Sequence, residues 1–542
     1  MTVPYWRELV AGKQSQQESQ LPQAWRISSS LLEDISADSQ ISVLDIPRRS
    51  QLLSTEELDL TENYDAVDLV QKMAKKEASA YTVALAFCKR AAIAHQVTKC
   101  LTEMFFDEAL ERAKYLDERL AKEGKPVGPL HGLPISMKDT FNMKGKDAIV
   151  GYAGFIPKGP ANFNSPLVDI LLDAGAILFV KTNVPQTLWV ADSVNNVFGR
   201  TLNPQKLCLT AGGSSGGEGA LVAMRGSLIG VGTDIAGSIR VPALCCGVYG
   251  FKPSSRRVAY GLQSDAVREG DLLMETVPPV AGPLCHSIRD ARLFLETVIQ
   301  DKYFEYDFTS VAVPWRQKAP KSKLTIGVII EAPGQPVSPP IRRTIETAVA
   351  KLQAAGHTIV PLKDYPSFSE AEDLAMKSFA FDNSNLAFRW VTDSGEPFIK
   401  AVCDSYGADT LETGTRTLDD LFPESLERDA YKKIWHDTFR NYKLDIVIAP
   451  GKETPAPPHD TYDHFTYTLM WNLLQYPSCI IPYSKVDKSI DRPDSRIKNY
   501  DPNVLDGVSC HIQVIGRPFG DEDLVSAVEV VDAVLKSKAR TP

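Results

Sequence analysis

Residues 212–243 read GGSSGGEGALVAMRGSLIGVGTDIAGSIRVPA, with nine glycines, four serines and only four charged side chains, Glu218, Arg225, Asp234 and Arg240. Glycine is costly in chain entropy, so a dense run needs a physical reason. A flexible linker is at odds with the interleaved ALVAM, SLIGV and IRVPA, which read as buried. A phosphate cradle would need GxxxxGKS/T, or GxGxxG with an acidic residue about 20 positions on, and neither occurs. The remaining reading is a catalytic site lined by backbone. Chemistry that generates an oxyanion needs N–H donors held in place and stripped of water, and serines in the same run then become candidate nucleophiles.

Two serines compete for that role. Residues 212–216, GGSSG, fit the G-x-S-x-G nucleophile elbow with Ser214 at the centre. That short pattern also demands a downstream acid and then a histidine. His286, His357, His436, His459, His464 and His511 all come later in the required order, so a histidine-dependent esterase stays open. The alternative is Ser238 in TDIAGSIR, where Ile235, Ala236, Gly237 and Ser238 can turn successive N–H groups toward one point.

The rest of the chain bounds the answer. At 542 residues it exceeds the usual core of roughly 100–200 residues, so either several domains or one large α/β domain is expected. The net charge of −9 provides no electrostatic footprint for nucleic acid or an anionic membrane. No stretch reaches the roughly 18 apolar residues of a membrane span. The start, MTVPYWRELVAGKQSQQ, lacks the apolar run and cleavage site of a secretory signal. Nine cysteines without a CxxC read as free, mostly buried thiols in a reducing compartment, which places the protein in the cytoplasm. Cys245 and Cys246 read as core packing. His459 and His464 read as local hydrogen-bonding groups rather than ligands, and no metal or other cofactor is expected.

Residues 1–65 read as a polar, partly helical lead-in packing on the core. In AVDLVQKMAKKE the three-residue steps place Val67, Val70 and Met73 on one helical face. Val83, Phe87 and Ala91 form a second stripe, behind Ser79 as cap. A unit then recurs. SPLVDILLDAG opens with Ser165 and Pro166, closes at Gly175 and runs into the strand AILFVK. SPPIRRTIETAVAKLQAAG opens with Ser338 and closes at Gly356 before HTIV, with KLTIGVII as the strand ahead of it. DIVIAP, SCIIP and CHIQVIG add short strands. Strand–helix–strand units with short loops imply an α/β fold, a large twisted, mainly parallel sheet covered by helices on both faces. Residues 363–440 read as polar helices and loops, a lid or insertion.

Taken in order, these segments closely resemble the amidase signature family. GGSSGGEGA and GTDIAGSIRVPA carry the likeness, with GPLHGLPISMKD (128–139), KTNVPQTLW (181–189), FGRTLNP (198–204) and IQVIGRPFGDEDLV (512–525). It extends over about residues 70–540, and the lead-in looks like that of the acetamidase-type branch found in fungi. The resemblance implies one catalytic domain over 66–542 on the family's mixed, mainly parallel sheet. It implies hydrolysis of the C–N bond of linear carboxylic amides, small aliphatic or aryl, with esters accepted as well.

By resemblance, Lys138 is the base, Ser214 a relay preceded by a cis peptide bond, and Ser238 the nucleophile. The chemistry is coherent. A serine hydroxyl needs a base, and lysine serves as one only when uncharged, which burial favours. Ser–Lys catalysis without histidine is a known variant. In LPISMKD, alternation turns Lys138 away from the side of Leu133, Ile135 and Met137. The N–H groups of Ile235, Ala236, Gly237 and Ser238 are expected to form the oxyanion hole, with Ser215, Asp234 and Arg240 in support. Leu188, Trp189, Gly212 and Gly213 are expected to bind substrate, Leu188 and Trp189 near the acyl side. Ala236 stands where many relatives have glycine, and would be strained if the site required positive φ there. A non-catalytic, amidase-like binding or scaffold protein and the tRNA-dependent amidotransferase subunit are the rival readings. The expected partner is a small amide, with a homodimer as the assembly to test.

Overall fold

The two strand–helix–strand units fold as their punctuation predicts. The computed structural model describes residues 5–264, 275–382, 385–406 and 416–537. Pro166 and Pro339 open helices Pro166–Asp173 and Pro339–Ala354. Gly175 and Gly356 come next with φ of 90° and 85°, turning the chain toward the next strand. Ser165 and Ser338 hold the N-cap positions, yet neither side chain caps its helix. The Ser165 hydroxyl instead donates to the Leu262 carbonyl. Ser79 does cap, accepting from the Thr82 N–H.

The strands are β1 (Leu101–Met104), β2 (Pro134–Lys138), β3 (Ile177–Thr182), β4 (Val194–Asn195), β5 (Gly199–Arg200), β6 (Ile229–Asp234), β7 (Tyr249–Lys252), β8 (Val280–Cys285), β9 (Thr325–Val328), β10 (Thr358–Pro361), β11 (Ile446–Ala449), β12 (Ser478–Lys485) and β13 (Ser509–Ile515). Among the described residues, eleven form one sheet in the order β1-β3-β2-β6-β8-β7-β12-β13-β11-β9-β10, and β4 with β5 makes a separate hairpin. The sheet is mixed. Its parallel pairs, β3-β2-β6 and β11-β9-β10, flank an antiparallel centre from β6 to β11. The recurring units account for the flanks. The centre is built by strands whose connections carry no such signature, so the parallel share is smaller than those units imply. Successive residues of β2, β3 and β6 are all buried. Side chains alternate between faces, so both faces are covered.

One helical stripe is rotated from its expected position. In Ala66–Ala74 the buried residues are Ala66, Leu69 and Met73, while Val67 and Val70 are half-buried. The N–H groups of Ala66 and Val67 both donate to Asp290 Oδ1, and this docking against helix Ile288–Val298 sets the helix's rotation. The other stripe, Val83, Phe87 and Ala91, is buried throughout.

The first 65 residues do more than cover the surface. Leu21, Ile27, Val43, Ile46, Leu53 and Leu60 join the main core. Helix Tyr5–Ser19 buries Lys13, whose Nζ donates to Glu103 Oε1 at 2.5 Å and to Asp147 Oδ2 at 2.6 Å. The segment expected as a lid or insertion is helical where it is described, with helices Phe368–Phe379, Leu386–Ser394, Lys400–Tyr406 and Leu418–Asn441. All nine cysteines are free, and Cys245 and Cys246 are buried in the core.

Candidate active site

Because β2 runs parallel to both β3 and β6, the C-terminal ends of three strands converge. Alternation along β2 turns Ser136 and Lys138 to one face. Lys138, wholly buried, donates from Nζ to Ser214 Oγ and to Thr233 Oγ1, each at 2.7 Å. Beneath it, the Ser136 hydroxyl donates to Glu218 Oε2 at 2.5 Å and the Thr182 hydroxyl to Oε1 at 2.9 Å. Burial pushes the Glu218 carboxyl up to about 8, against the two hydroxyls and Lys138, which pull it down. A side chain at Gly230, the β6 partner of Ser136, would collide with Glu218 Oε2. Thr233 and Glu218 were not anticipated as part of the site. The signals were available: Thr233 ends a strand beside Asp234, and Glu218 is the lone charge between Ser215 and Ala223.

Ser214 sits between β6 and helix Gly216–Ala223, and the Gly213–Ser214 peptide bond is cis. Ser215 ties the two serine segments together. Its N–H donates to the Ser238 carbonyl at 3.2 Å, and its hydroxyl donates to the Thr233 carbonyl at 3.3 Å. Gly212 and Gly213 are not among the described residues lining the cavity beside the serines. Their missing side chains serve packing, since a Cβ at Gly212 would stand 2.8 Å from Pro242 Cα and one at Gly213 2.8 Å from the Val190 carbonyl oxygen.

The loop 235–238 is built around one buried ion pair. Asp234 Oδ1 accepts from the Gly237 N–H at 2.9 Å and Oδ2 from the Ile239 N–H at 3.1 Å. Arg240 closes on the same carboxylate, Nε and Nη2 each at 3.0 Å, and reaches the Thr468 carbonyl, Gln513 and Asn472. Burial alone would raise the Asp234 carboxyl; the Arg240 guanidinium, together with Lys252 and the Asn472 amide, outweighs it and holds the group down at about 2. Because the Gly237 N–H is engaged, the N–H groups of Ile235, Ala236 and Ser238 are those that make no hydrogen bond among the described residues. Positive φ falls on Gly237, at 138°, where a Cβ would meet Thr468 Oγ1 at 2.5 Å. Ala236 does not adopt it, so alanine at 236 is unstrained. Arg240→Met strands the Asp234 charge in a dry interior. The expected result is a loss of about 3–5 kcal/mol of stability, measured as a lowered unfolding midpoint, together with lost turnover as the loop loses its template.

Ser214 and Ser238 face one cavity of about 90 Å³, with Leu188, Trp189, Thr233, Ile235 and Ala236. No hydrogen bond joins the two serine hydroxyls. The cavity is also lined by Glu372, Met376, Phe379 and Tyr406 from the later helices and by Phe465 and Leu469, none of which was foreseen. Trp189 packs at 5.6 Å from Phe379 and 6.0 Å from Tyr406, and the Tyr406 hydroxyl donates to its carbonyl at 2.8 Å. The histidines lie elsewhere. His286 meets the Val222 carbonyl, His459 the Leu207 carbonyl, His357 the Leu324 N–H and His511 the Gly451 N–H. His436 and His464 are exposed beside acidic groups. Among the described residues none hydrogen-bonds either serine.

The fold is shared with known proteins. The family model described as Amidase matches residues 82–525, and the chain belongs to the amidase family. An amidase of Gibberella moniliformis is 42% identical over 533 residues, covering 98% of this chain and 99% of its own. An acetamidase of Emericella nidulans is 39% identical, covering 98% of each. A solved structure of a fatty acid amide hydrolase superposes with a TM-score of 0.90 at 32% identity, covering 98% of this chain and 95% of its own. The protein is thus an enzyme that hydrolyses amide carbon–nitrogen bonds. Among the described residues, no helix is long and apolar enough to cross a membrane.

Proposed function

We propose that the enzyme cleaves small carboxylic amides through an acyl-enzyme on Ser238, with Ser214 as relay and Lys138 as base. The observation that carries this reading is the 2.7 Å contact between Lys138 Nζ and Ser214 Oγ, buried at the edge of the cavity that Ser238 also lines. An uncharged amine at that point accepts the Ser214 proton as Ser214 takes the proton of Ser238. Ser238 Oγ then attacks the carbonyl, and the oxyanion rests on the N–H groups of Ile235, Ala236 and Ser238. Collapse of the intermediate breaks the C–N bond, and the stored proton returns through Ser214 to the leaving amine. Water, deprotonated along the same route, cleaves the ester to release the acid and Ser238. An ester forms the same acyl-enzyme and is a substrate by the same logic. No described histidine is needed for any step.

The cavity volume supports small substrates. About 90 Å³ lies well below the roughly 300 Å³ at which drug-sized sites begin. The nine free cysteines suit a reducing compartment, and the cytoplasm is the proposed location. The test is a purified-enzyme panel over acyl length and amine size, read as ammonia or amine release. Rapid turnover confined to long acyl chains would overturn the small-substrate reading. On the same panel, Trp189→Ala is expected to shift kcat/KM toward longer acyl groups by roughly tenfold. An unchanged acyl preference would remove Trp189 from the pocket's selectivity.

A further inference from the structure

Met376, Phe379 and Tyr406 help to line the cavity, and among its described lining residues Glu372 is the one charged side chain. Glu372, on helix Phe368–Phe379, lines the same cavity as Ser214 and Ser238. Its Oε2 accepts a 2.7 Å hydrogen bond from the Thr466 hydroxyl. Thr466 is buried and opens helix Thr466–Leu473. Two residues on, the Thr468 hydroxyl donates to the Ala236 carbonyl at 2.6 Å. The carboxylate is therefore oriented by the helix that also braces the 235–238 loop. Among the described residues, the charged-group neighbour of Glu372 Oε1 is His464 Nδ1 at 3.9 Å, beyond hydrogen-bond range, and the His464 side chain is 63% exposed.

The Glu372 side chain is 24% exposed, so part of it borders solvent and part the apolar lining of the cavity, where an entering cation would meet an opposite charge. Trp189, Phe379 and Phe465 line the same space, and aromatic rings attract cations placed over their faces. Glu372 and Ser238 line the same cavity, so a group against Glu372 shares that space with the scissile carbonyl. We propose that the substrates are amides carrying a protonated amine, seated with the ammonium against Glu372 Oε1, and that Glu372 determines this specificity. The proposal rests on the reading of Ser238 as the nucleophile of this cavity.

The test compares two matched amides, one bearing a primary ammonium a few bonds from the carbonyl and one with a methyl group in its place. The native enzyme is expected to favour the cationic member by roughly tenfold or more in kcat/KM, the scale of a charge-assisted hydrogen bond. Glu372→Gln keeps the shape and removes the charge, and is expected to bring the ratio close to one. Glu372→Lys is expected to push it below one. A native ratio of one or less overturns the proposal, as does a Glu372→Gln ratio equal to the native one, which would assign recognition to hydrogen bonding rather than charge. Fluorophosphonate labelling separates this outcome from failure of the underlying reading. A native enzyme that is labelled at Ser238 but shows no cation preference sinks the specificity alone; one that is not labelled at Ser238 sinks both.

Discussion

With Lys138 replaced by methionine, kcat is expected to fall by roughly four orders of magnitude or more, because members of one catalytic unit fail together. Methionine matches the length and apolar stem of lysine but supplies no base. Ser214 and Thr233, each 2.7 Å from Nζ, are left facing a thioether, and a serine hydroxyl without a base is a poor nucleophile. The measurement is steady-state amide turnover beside a thermal unfolding curve. A folded Lys138→Met enzyme with native turnover would remove lysine from the mechanism.

The second large effect separates the two serines. Ser238→Ala is expected to abolish turnover and covalent labelling by a fluorophosphonate together. Ser214→Ala is expected to slow both steeply while leaving Ser238 as the residue that carries the tag. The sequence makes the result easy to read. Trypsin cuts after Lys206, Arg225 and Arg240, so Ser214 lies in peptide 207–225 and Ser238 in peptide 226–240. A tag on 207–225 in the native enzyme would revive the nucleophile elbow at Ser214 and overturn the Ser238 assignment. The surroundings weigh against that outcome, since Ser214 Oγ is held by Lys138 and no described histidine hydrogen-bonds it.

The sequence was most legible where its information is local. Pro166, Gly175, Pro339 and Gly356 punctuate helices within a few residues, so both strand–helix–strand flanks of the sheet could be read. The serine run and LPISMKD are short motifs whose chemistry lies in the residue types themselves. The antiparallel centre was not legible, because pairing of β7 with β12 and of β12 with β13 depends on contacts between distant segments. The helical stripe at Ala66, Leu69 and Met73 was misplaced for the same reason, since Asp290, far along the chain, sets its rotation. At Gly212 and Gly213 the missing side chains admit Pro242 and the Val190–Ala191 backbone, packing that no local pattern signals. Glu372 and Phe379 lie in a stretch whose polar pattern signals only exposed helix, and nothing local marks the face that turns toward the serines.

The cavity is bounded by two parts of the chain of different character. The lysine, the serines and the Asp234–Arg240 pair all lie between residues 134 and 240, on strand ends and helix starts locked by buried bonds. Other parts of the lining come from helices between 368 and 406 and from Phe465 and Leu469. Exchanges along the later helices would alter the surface a substrate meets while leaving the Lys138–Ser214 contact and the Asp234–Arg240 pair in place.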